Sequence, residues 1–100
     1  MSNSIKDKLE IIIVTYNRKV SLEGTLSQLF APESPVKDLD ITVLDNKSTD
    51  GTFEVVRQFC KKHQNLKHVV NNRNIGGNGN IARAFETAKK EYVWVLCDDD

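Results

Sequence analysis

The sequence lacks several features that would assign it to a specialised class of protein. It has no apolar stretch long enough for a membrane span or a signal peptide, since the run at residues 11–14 is far too short. Its 14 basic and 14 acidic side chains leave no net charge, and without a basic stripe, nucleic acid binding through phosphates is not expected. Its two cysteines, Cys60 and Cys97, form no C-x-x-C pattern, which predicts reduced thiols in the cytoplasm.

The 100 residues suffice for one domain, and 39% hydrophobic with 28% charged content is typical of a globular one. Four apolar runs alternate with three helical patterns, and such alternation predicts parallel strands joined by crossover helices. The expected fold is α/β and Rossmann-like, with a mostly parallel four-stranded sheet and helices on both faces. Strands are predicted at residues 9–16, 39–46, 66–70 and 92–97, helices at 20–30, 48–63 and 81–90, and a Gly/Asn-rich loop at 71–80.

Helical spacing also predicts which side chains face the sheet. Ser48 or Asp50 is expected to cap the second helix, and the third is expected to end in a basic turn that suits the helix dipole. The inward positions are Leu22, Leu26, Leu29 and Phe30 in the first helix, Phe53, Val56, Phe59 and Cys60 in the second, and Ile81, Ala84, Phe85 and Ala88 in the third.

Each predicted strand is followed by polar residues at its carboxyl end, where open α/β sheets bind their ligands. These residues predict a ligand site along one edge of the sheet. They are Thr15, Tyr16, Asn17 and Arg18 at the end of the first strand, Asp45, Asn46 and Ser48 at the end of the second, the Gly/Asn loop after the third, and Asp98, Asp99 and Asp100 after the fourth.

The three terminal aspartates indicate a metal site. If the strand continues through Asp98, then Asp98 and Asp100 point the same way, about 6–7 Å apart at a rise of roughly 3.3 Å per residue. Two such carboxylates repel each other unless a cation is near. Mg²⁺ or Mn²⁺ takes one or two carboxylates and completes its shell with phosphate oxygens and water, so a metal-bridged phosphate ligand is expected.

The glycine-rich segment formally matches the dinucleotide fingerprint at residues 77–82, but that motif requires its first glycine directly after a strand. No G-K-[ST] follows, which excludes a P-loop. We interpret the segment as backbone whose N–H groups can approach a ligand. Because Ser48 or Asp50 suits the cap of the second helix, Asp45 is left without a structural task. It is therefore a candidate to bind a ribose or base. Tyr16 offers a flat face to a base and Arg18 a positive charge.

The segments "IIIVTYNR", "ITVLDNKSTDGT", "NIGGNGNIARA" and "WVLCDDD" occur in this order and together resemble the nucleotide-binding half of family 2 glycosyltransferases, which have the GT-A fold. The match spans about residues 9–100. The GG-x-G loop and the D-D-D form resemble most the branch that contains rhamnosyl- and galactofuranosyltransferases.

The resemblance implies a role for each matching residue. Asp45 would bind a uracil or thymine base, and the aspartates would be the D-x-D motif with its divalent metal. Many family members read L-D-x-D-D, which would put Cys97 at the first acidic position; the alternation favours Asp98 and Asp100 instead. The implied nucleotide-binding residues are Thr15, Tyr16, Arg18, Asp45, Asn74, Gly76, Gly77, Arg83 and Asp98, and the implied metal ligands are Asp98 and Asp100.

The implied activity is transfer of a sugar from a UDP- or dTDP-linked donor to a saccharide or lipid-linked acceptor. In the family, the catalytic base and acceptor pocket follow the D-x-D strand. Residues 1–100 are therefore expected to be the donor-binding half of a longer enzyme, inactive alone and prone to self-association through uncovered apolar surface. The full-length enzyme is expected in the cytoplasm, with peripheral contact to the inner face of the membrane left open.

Two other functions stay open. A nucleotidyltransferase of related sheet order would carry a glycine-rich loop after the first strand, which "TYNRKV" lacks. A non-catalytic α/β interaction module would bind a protein through its polar edge and show no metal-dependent nucleotide binding.

Overall fold

The computed structural model describes residues 5–97 and confirms the alternation of strands and helices. Each of the three α-helices has 11 residues, and within the described residues no helix is long and apolar enough to cross a membrane. After a 3₁₀ turn at Ile5–Asp7, the elements are β1 (Leu9–Thr15), α1 (Lys19–Leu29), β2 (Asp40–Asp45), α2 (Thr52–Lys62), β3 (Leu66–Val70), α3 (Gly77–Thr87) and β4 (Tyr92–Cys97).

The four strands form one parallel sheet in the order β3-β2-β1-β4. The chain builds outward from β1 through β2 to β3, then crosses back and adds β4 on the other side of β1. The direction of winding therefore reverses between β1 and β4. In open α/β sheets, a crevice at the carboxyl ends of the strands forms at this switch point, so the topology already marks the ligand site.

The two faces of the sheet carry separate clusters of buried side chains. The strand β1 is covered on both faces, and its three isoleucines Ile11, Ile12 and Ile13 are fully buried. The face under α1 and α2 packs Ile11, Ile13, Leu22, Leu26, Phe30, Leu39, Ile41, Val43, Val56 and Leu66. On the face under α3, the buried side chains among the described residues are Ile12, Val14, Leu44 and Ala84, with the partly buried Val69, Ile81, Ala88, Val93 and Val95 packed against them. Helices on both faces were predicted, and the arrangement confirms them.

Three local predictions were wrong. Phe53 and Phe85 were expected to face the sheet, but they are 45% and 59% exposed. The helix α3 begins at Gly77, inside the predicted loop, because its first turn closes with the hydrogen bond from Asn80 N to Gly76 O. It ends at Thr87, so the predicted basic last turn lies beyond the helix.

Side chains also fix the ends of the elements. The N-cap residue of α2 is Gly51, which makes no side-chain cap bond, so the predicted cap at Ser48 or Asp50 was wrong in position. Asp50, one residue before it, accepts hydrogen bonds from the backbone N–H and the hydroxyl of Thr52. The buried Glu10 on β1 accepts from the backbone N–H groups of Lys89 and Lys90, which anchors the turn that leads into β4.

Candidate functional site

The carboxyl ends of the strands lie level with one another at one edge of the sheet. Thr15 pairs with Asp45, Asp45 pairs with Val70, and Val14 pairs with Cys97. The segments that follow β1, β2 and β3 therefore meet at this edge, which is the arrangement that the sequence predicted.

A cavity of about 350 Å³ lies at this edge between the ends of β1 and β4 and the start of α3. It thus occupies the switch point of the sheet, and its volume lies within the range of roughly 300–1,000 Å³ typical of small-molecule sites. Six of the residues predicted to bind a nucleotide line this cavity: Thr15, Tyr16, Arg18, Asn74, Gly76 and Gly77.

The walls of the cavity differ in chemistry. Tyr16 is 43% exposed and can present its ring to a base. Val14 and Ile81 supply an apolar surface, and Arg18 supplies a positive charge. Gly76 has φ +83°, a left-handed conformation that glycine adopts without strain. The lining therefore offers an apolar surface suited to a flat group, and a positive charge with an open glycine backbone suited to polar oxygens.

Asp45 does not line the cavity, although it ends β2 next to it. The side chain is 2% exposed; its Oδ1 accepts from Ser48 N at 3.0 Å and Ser48 Oγ at 2.6 Å, and Oδ2 lies 3.5 Å from His68 Nε2. The inference that Asp45 has no structural task is therefore wrong, because it closes the turn after β2. Its contact with a base stays a prediction.

The environment of Asp45 favours its charged form. Burial is the largest influence and works against ionisation, but the adjacent His68 imidazole and the hydrogen bonds from Ser48 outweigh it and hold the pKa of Asp45 below the ordinary value of 3.8. Asp45 is thus an ionised acceptor at neutral pH.

Arg83 lies apart from the other predicted residues. Together with Asn71 and Arg73 it lines a smaller cavity of about 220 Å³, so the cavity at the switch point is the larger cavity of the two that flank the loop before α3. A wider surface depression of about 560 Å³ lies at the start of α1, between Asn17 and Asp50. A nucleotide in the larger cavity would have to extend over the loop before α3 to reach Arg83, and that contact stays a prediction.

The segments after β1 and β2 are joined by side-chain hydrogen bonds. Asn17, at φ +51°, donates its N–H to Ser48 Oγ at 2.8 Å and accepts from Thr49 N at 2.7 Å. Lys19 N donates to Asp50 Oδ2 at 3.1 Å. Burial again opposes ionisation of Asp50, but the bonds from Thr52 and Lys19 lower its pKa below 3.8. The loops after β1 and β2 are thus tied together next to Arg18, although none of these bonded residues lines the cavity itself.

Sequence reasoning placed Asn46 at the ligand edge without assigning it to the nucleotide, and it missed Asn71 and Asn80 as individual site residues. Asn46 lines the cavity and is 2% exposed, and Asn71 and Asn80 are buried behind it. The available signal was the concentration of asparagine at the ends of β2 and β3, where a buried amide must find partners for all its polar atoms.

The predicted metal ligands Asp98 and Asp100 lie outside the described residues. Between residues 5 and 97, no group of three or more His, Cys, Asp or Glu side chains could hold a metal ion. Cys97, which the alternative reading would place at the first acidic position, lines the larger cavity, so β4 brings the chain to that cavity at the residue before Asp98. Carboxylates at this position suit a hard divalent cation better than the Cys97 thiol does.

Comparison with known proteins agrees with this geometry. The family model described as Glycosyl transferase family 2 matches residues 10–100. A GalNAc(5)-diNAcBac-PP-undecaprenol beta-1,3-glucosyltransferase from Campylobacter jejuni is 37% identical over 94 residues, which cover 93% of this chain and 30% of that protein.

Two solved structures share the architecture. The mannosyltransferase PcManGT from Pyrobaculum calidifontis, in complex with GDP-Man and Mn²⁺, superposes with a TM-score of 0.77 at 28% identity over 92% of this chain and 27% of that one. S. aureus TarS 1-349 in complex with UDP-GlcNAc gives a TM-score of 0.77 at 29% identity over 92% of this chain and 26% of that one. The chain thus spans less than a third of the length of each of these proteins, and its fold matches the part of each structure that it covers.

Proposed function

The chain belongs to glycosyl transferase family 2 and has a GT-A type fold, and from this we propose that its larger cavity binds the nucleoside diphosphate of a sugar donor. The observation that carries the proposal is the cavity at the switch point of the sheet, lined by six residues that the sequence had already assigned to a nucleotide. The full-length protein would then transfer the sugar to a saccharide or lipid-linked acceptor.

The walls of the cavity suggest how a nucleotide lies in it. Tyr16 would stack on the base, while Arg18 would attract the diphosphate. The first N–H groups of α3 have no partner within the helix, and they carry the positive end of its dipole, so the phosphates would lie near Gly76 and Gly77. We further propose that Asp45 accepts a hydrogen bond from a uracil or thymine base through Oδ2, since Ser48 already engages Oδ1. The base would have to approach Oδ2 beside His68, which lies 3.5 Å away.

A divalent cation, Mg²⁺ or Mn²⁺, completes the proposal, with Asp98 and Asp100 as its protein ligands. The PcManGT structure is a complex with both GDP-Man and Mn²⁺, which supports a divalent metal in this chain also. When bound, the cation would act as a Lewis acid and offset the negative charge of the departing diphosphate. The chain's own cavity residues would bind the donor and orient it.

The acceptor is proposed by analogy of chemistry. The Campylobacter jejuni relative acts on a sugar carried by PP-undecaprenol, as its name states, and we propose a comparable saccharide or lipid-linked acceptor for the full-length protein. A lipid-linked acceptor would bring the full-length protein to a membrane surface. The base that deprotonates the acceptor hydroxyl is proposed to lie beyond residue 100.

A titration calorimetry experiment tests the donor proposal. UDP, dTDP and GDP are each titrated into the chain with and without Mn²⁺. We expect UDP or dTDP to bind more tightly than GDP, and Mn²⁺ to strengthen the binding. Equal binding of all three nucleotides, or no effect of Mn²⁺ on any of them, would refute the proposal and favour an interaction module.

A variant pair separates the metal site from general charge effects. Asp98→Asn combined with Asp100→Asn should abolish the Mn²⁺-dependent part of nucleotide binding. The control is Asp38→Asn combined with Glu33→Gln, two exposed acids in the segment between α1 and β2, which removes the same charge and should leave it intact.

A further inference from the structure

Four asparagines form one hydrogen-bonded cluster behind the wall of the larger cavity. Asn46 is central, and its amide uses every hydrogen-bonding position that it has. Its Oδ1 accepts from Asn71 Nδ2 at 3.0 Å and Ile75 N at 2.9 Å. Its Nδ2 donates to Asn74 Oδ1 at 2.9 Å and Gly76 O at 3.2 Å. The end of β2 is thus tied directly to the loop before α3.

Asn71 and Asn80 extend the cluster toward the sheet and the helix. Asn71 Nδ2 donates to Asn46 Oδ1 and also to Asn80 Oδ1 at 2.9 Å, and Asn80 Nδ2 donates to Leu44 O at 3.1 Å. Asn71, Asn46 and Asn80 are 5%, 2% and 2% exposed. In a buried environment such bonds set the orientation of each amide, because an amide turned the wrong way would face an unpaired like group.

The amide of Asn71 is oriented so that its two hydrogens bind Asn46 and Asn80. Both hydrogens of its amide reach acceptors, while its own Oδ1 is buried and has no hydrogen-bond partner among the described residues. An unpaired buried oxygen destabilises a protein. Here that destabilisation falls on the residue whose amide hydrogens hold Asn46 and Asn80. The side chain of Asn71 does not line the larger cavity.

The loop that the cluster holds has little other support. Asn74, Ile75, Gly76 and Gly77 are all exposed, so apolar packing contributes little to their order. Gly76 N donates to Asn74 Oδ1 at 2.7 Å, and that same oxygen accepts from Asn46. The shape of the glycine wall of the cavity therefore depends on polar bonds that converge on Asn46.

We propose that Asn71 is a positioning residue for nucleotide binding, which acts through Asn46 to hold residues 74–77 in the shape that receives the diphosphate. This inference rests on the proposed function. Because Asn71 does not line the cavity, its substitution reaches a bound nucleotide only through the cluster. A residue that served stability alone would leave nucleotide affinity unchanged in the folded protein.

The test compares Asn71→Ala with Asn65→Ala. Asn65 is a matched control, because its Nδ2 also donates two hydrogen bonds, to Lys37 O at 2.8 Å and Leu39 O at 2.6 Å, at the opposite end of the sheet. With UDP and Mn²⁺ at a temperature where both variants are folded, we expect Asn71→Ala to raise Kd by about tenfold and Asn65→Ala by less than about twofold. Equal affinities of the two variants would overturn the inference.

Amide hydrogen exchange supplies a second readout that needs no nucleotide. In Asn71→Ala the N–H groups of Ile75 and Gly76 should exchange faster relative to the core amide of Ile12, and in Asn65→Ala they should keep their wild-type ratio. Unchanged exchange at Ile75 and Gly76 in Asn71→Ala would overturn the inference. Should that variant not fold, Asn80→Ala cuts the cluster from the helix side with a residue that favours helix, and the same outcomes apply.

The two readouts separate the two proposals. If the wild-type chain binds neither UDP nor dTDP, the proposed function fails, and exchange alone decides whether Asn71 orders the loop. If the wild type binds UDP and Asn71→Ala binds it equally well, the positioning role fails while the proposed function stands.

Discussion

The two faces of the sheet are built for different tasks. The face under α1 and α2 packs ten buried apolar side chains, whereas the face under α3 packs four and continues into buried asparagines at the edge of the sheet. Hydrophobic burial scales with the area removed from water, so the first face supplies most of the stability. The second face has fewer buried apolar side chains among the described residues, and the larger cavity lies on that side.

This division implies that stability and nucleotide binding can be changed separately. Substitutions under α1 and α2 should lower the free energy of unfolding without altering the cavity. Substitutions at the cavity should lower affinity while the fold is retained.

The largest effect is expected from Leu26→Ala on the apolar face. Leu26 is fully buried, and truncation of such a side chain typically costs about 2–5 kcal/mol of unfolding free energy. Urea denaturation measures the loss. Val20→Ala is the control on the same helix, because Val20 is 78% exposed and should cost less than about 0.5 kcal/mol. A loss of UDP affinity in folded Leu26→Ala would contradict the separation of stability and nucleotide binding between the two faces.

The next effect is expected from Tyr16→Ala in the cavity. If Tyr16 stacks on the base, its removal should lower UDP affinity by about 1–3 kcal/mol, the usual value of a stacked base on an aromatic ring. Calorimetry measures the change, and Tyr92→Ala is the control, since Tyr92 is exposed at the far end of the sheet. If both variants bind UDP with equal affinity, the base does not stack on Tyr16.

A smaller effect concerns the pH dependence of Asp45. Its pKa in the folded chain is lower than the value of 3.8 expected when unfolded, so its ionised form stabilises the fold above pH 3.8, and this contribution is lost as pH falls through the lower folded pKa. The stability difference between wild type and Asp45→Asn should therefore stay constant from pH 8 to 5 and shrink only below about 3.8. A difference that shrank already between pH 7 and 5 would contradict the assigned environment.

The smallest effect is expected at the edge strand β4. Trp94 is 48% exposed there, and an exposed edge with apolar side chains favours pairing with a second copy. We propose that Trp94→Lys weakens any self-association seen by sedimentation velocity, whereas Phe85→Lys, at an exposed aromatic on α3, leaves it unchanged. Equal behaviour of both variants would exclude the β4 edge as the contact.

Most of the fold could be predicted, because the spacing of apolar residues and the length of each apolar segment indicate which segments form strands and which form helices. The bounds of β3 and β4 agree with the sequence, and Leu22 and Leu26 are buried as their spacing predicts. Spacing identifies one side of a helix but does not say how far the sheet extends beneath it. Phe53 accordingly lies near His68, with ring centroids 5.4 Å apart, and under the Arg57 guanidinium at 5.5 Å, rather than in the core.

The candidate site was predictable where residues follow strands, and less so where side chains support one another. Thr15, Tyr16 and Arg18 came from their position after β1, and the structure places them together. The early start of α3 escaped prediction because glycine and asparagine are poor helix formers, and tertiary hydrogen bonds from Asn46 and Asn80 outweigh that preference. Contacts of this kind join residues that lie far apart in sequence, so a local pattern does not contain them.

The central claim is that the cavity at the switch point between β1 and β4 holds a metal-bound nucleoside diphosphate. Paramagnetic broadening of backbone amide resonances by Mn²⁺ with UDP, against a Mg²⁺ and UDP reference, tests it most directly. The account predicts that the amides of Thr15, Gly76 and Gly77 broaden strongly, while those of Leu9 and Leu66 at the other end of the strands stay sharp. Broadening centred on Arg73 and Arg83, or none beyond that of free Mn²⁺, would contradict it.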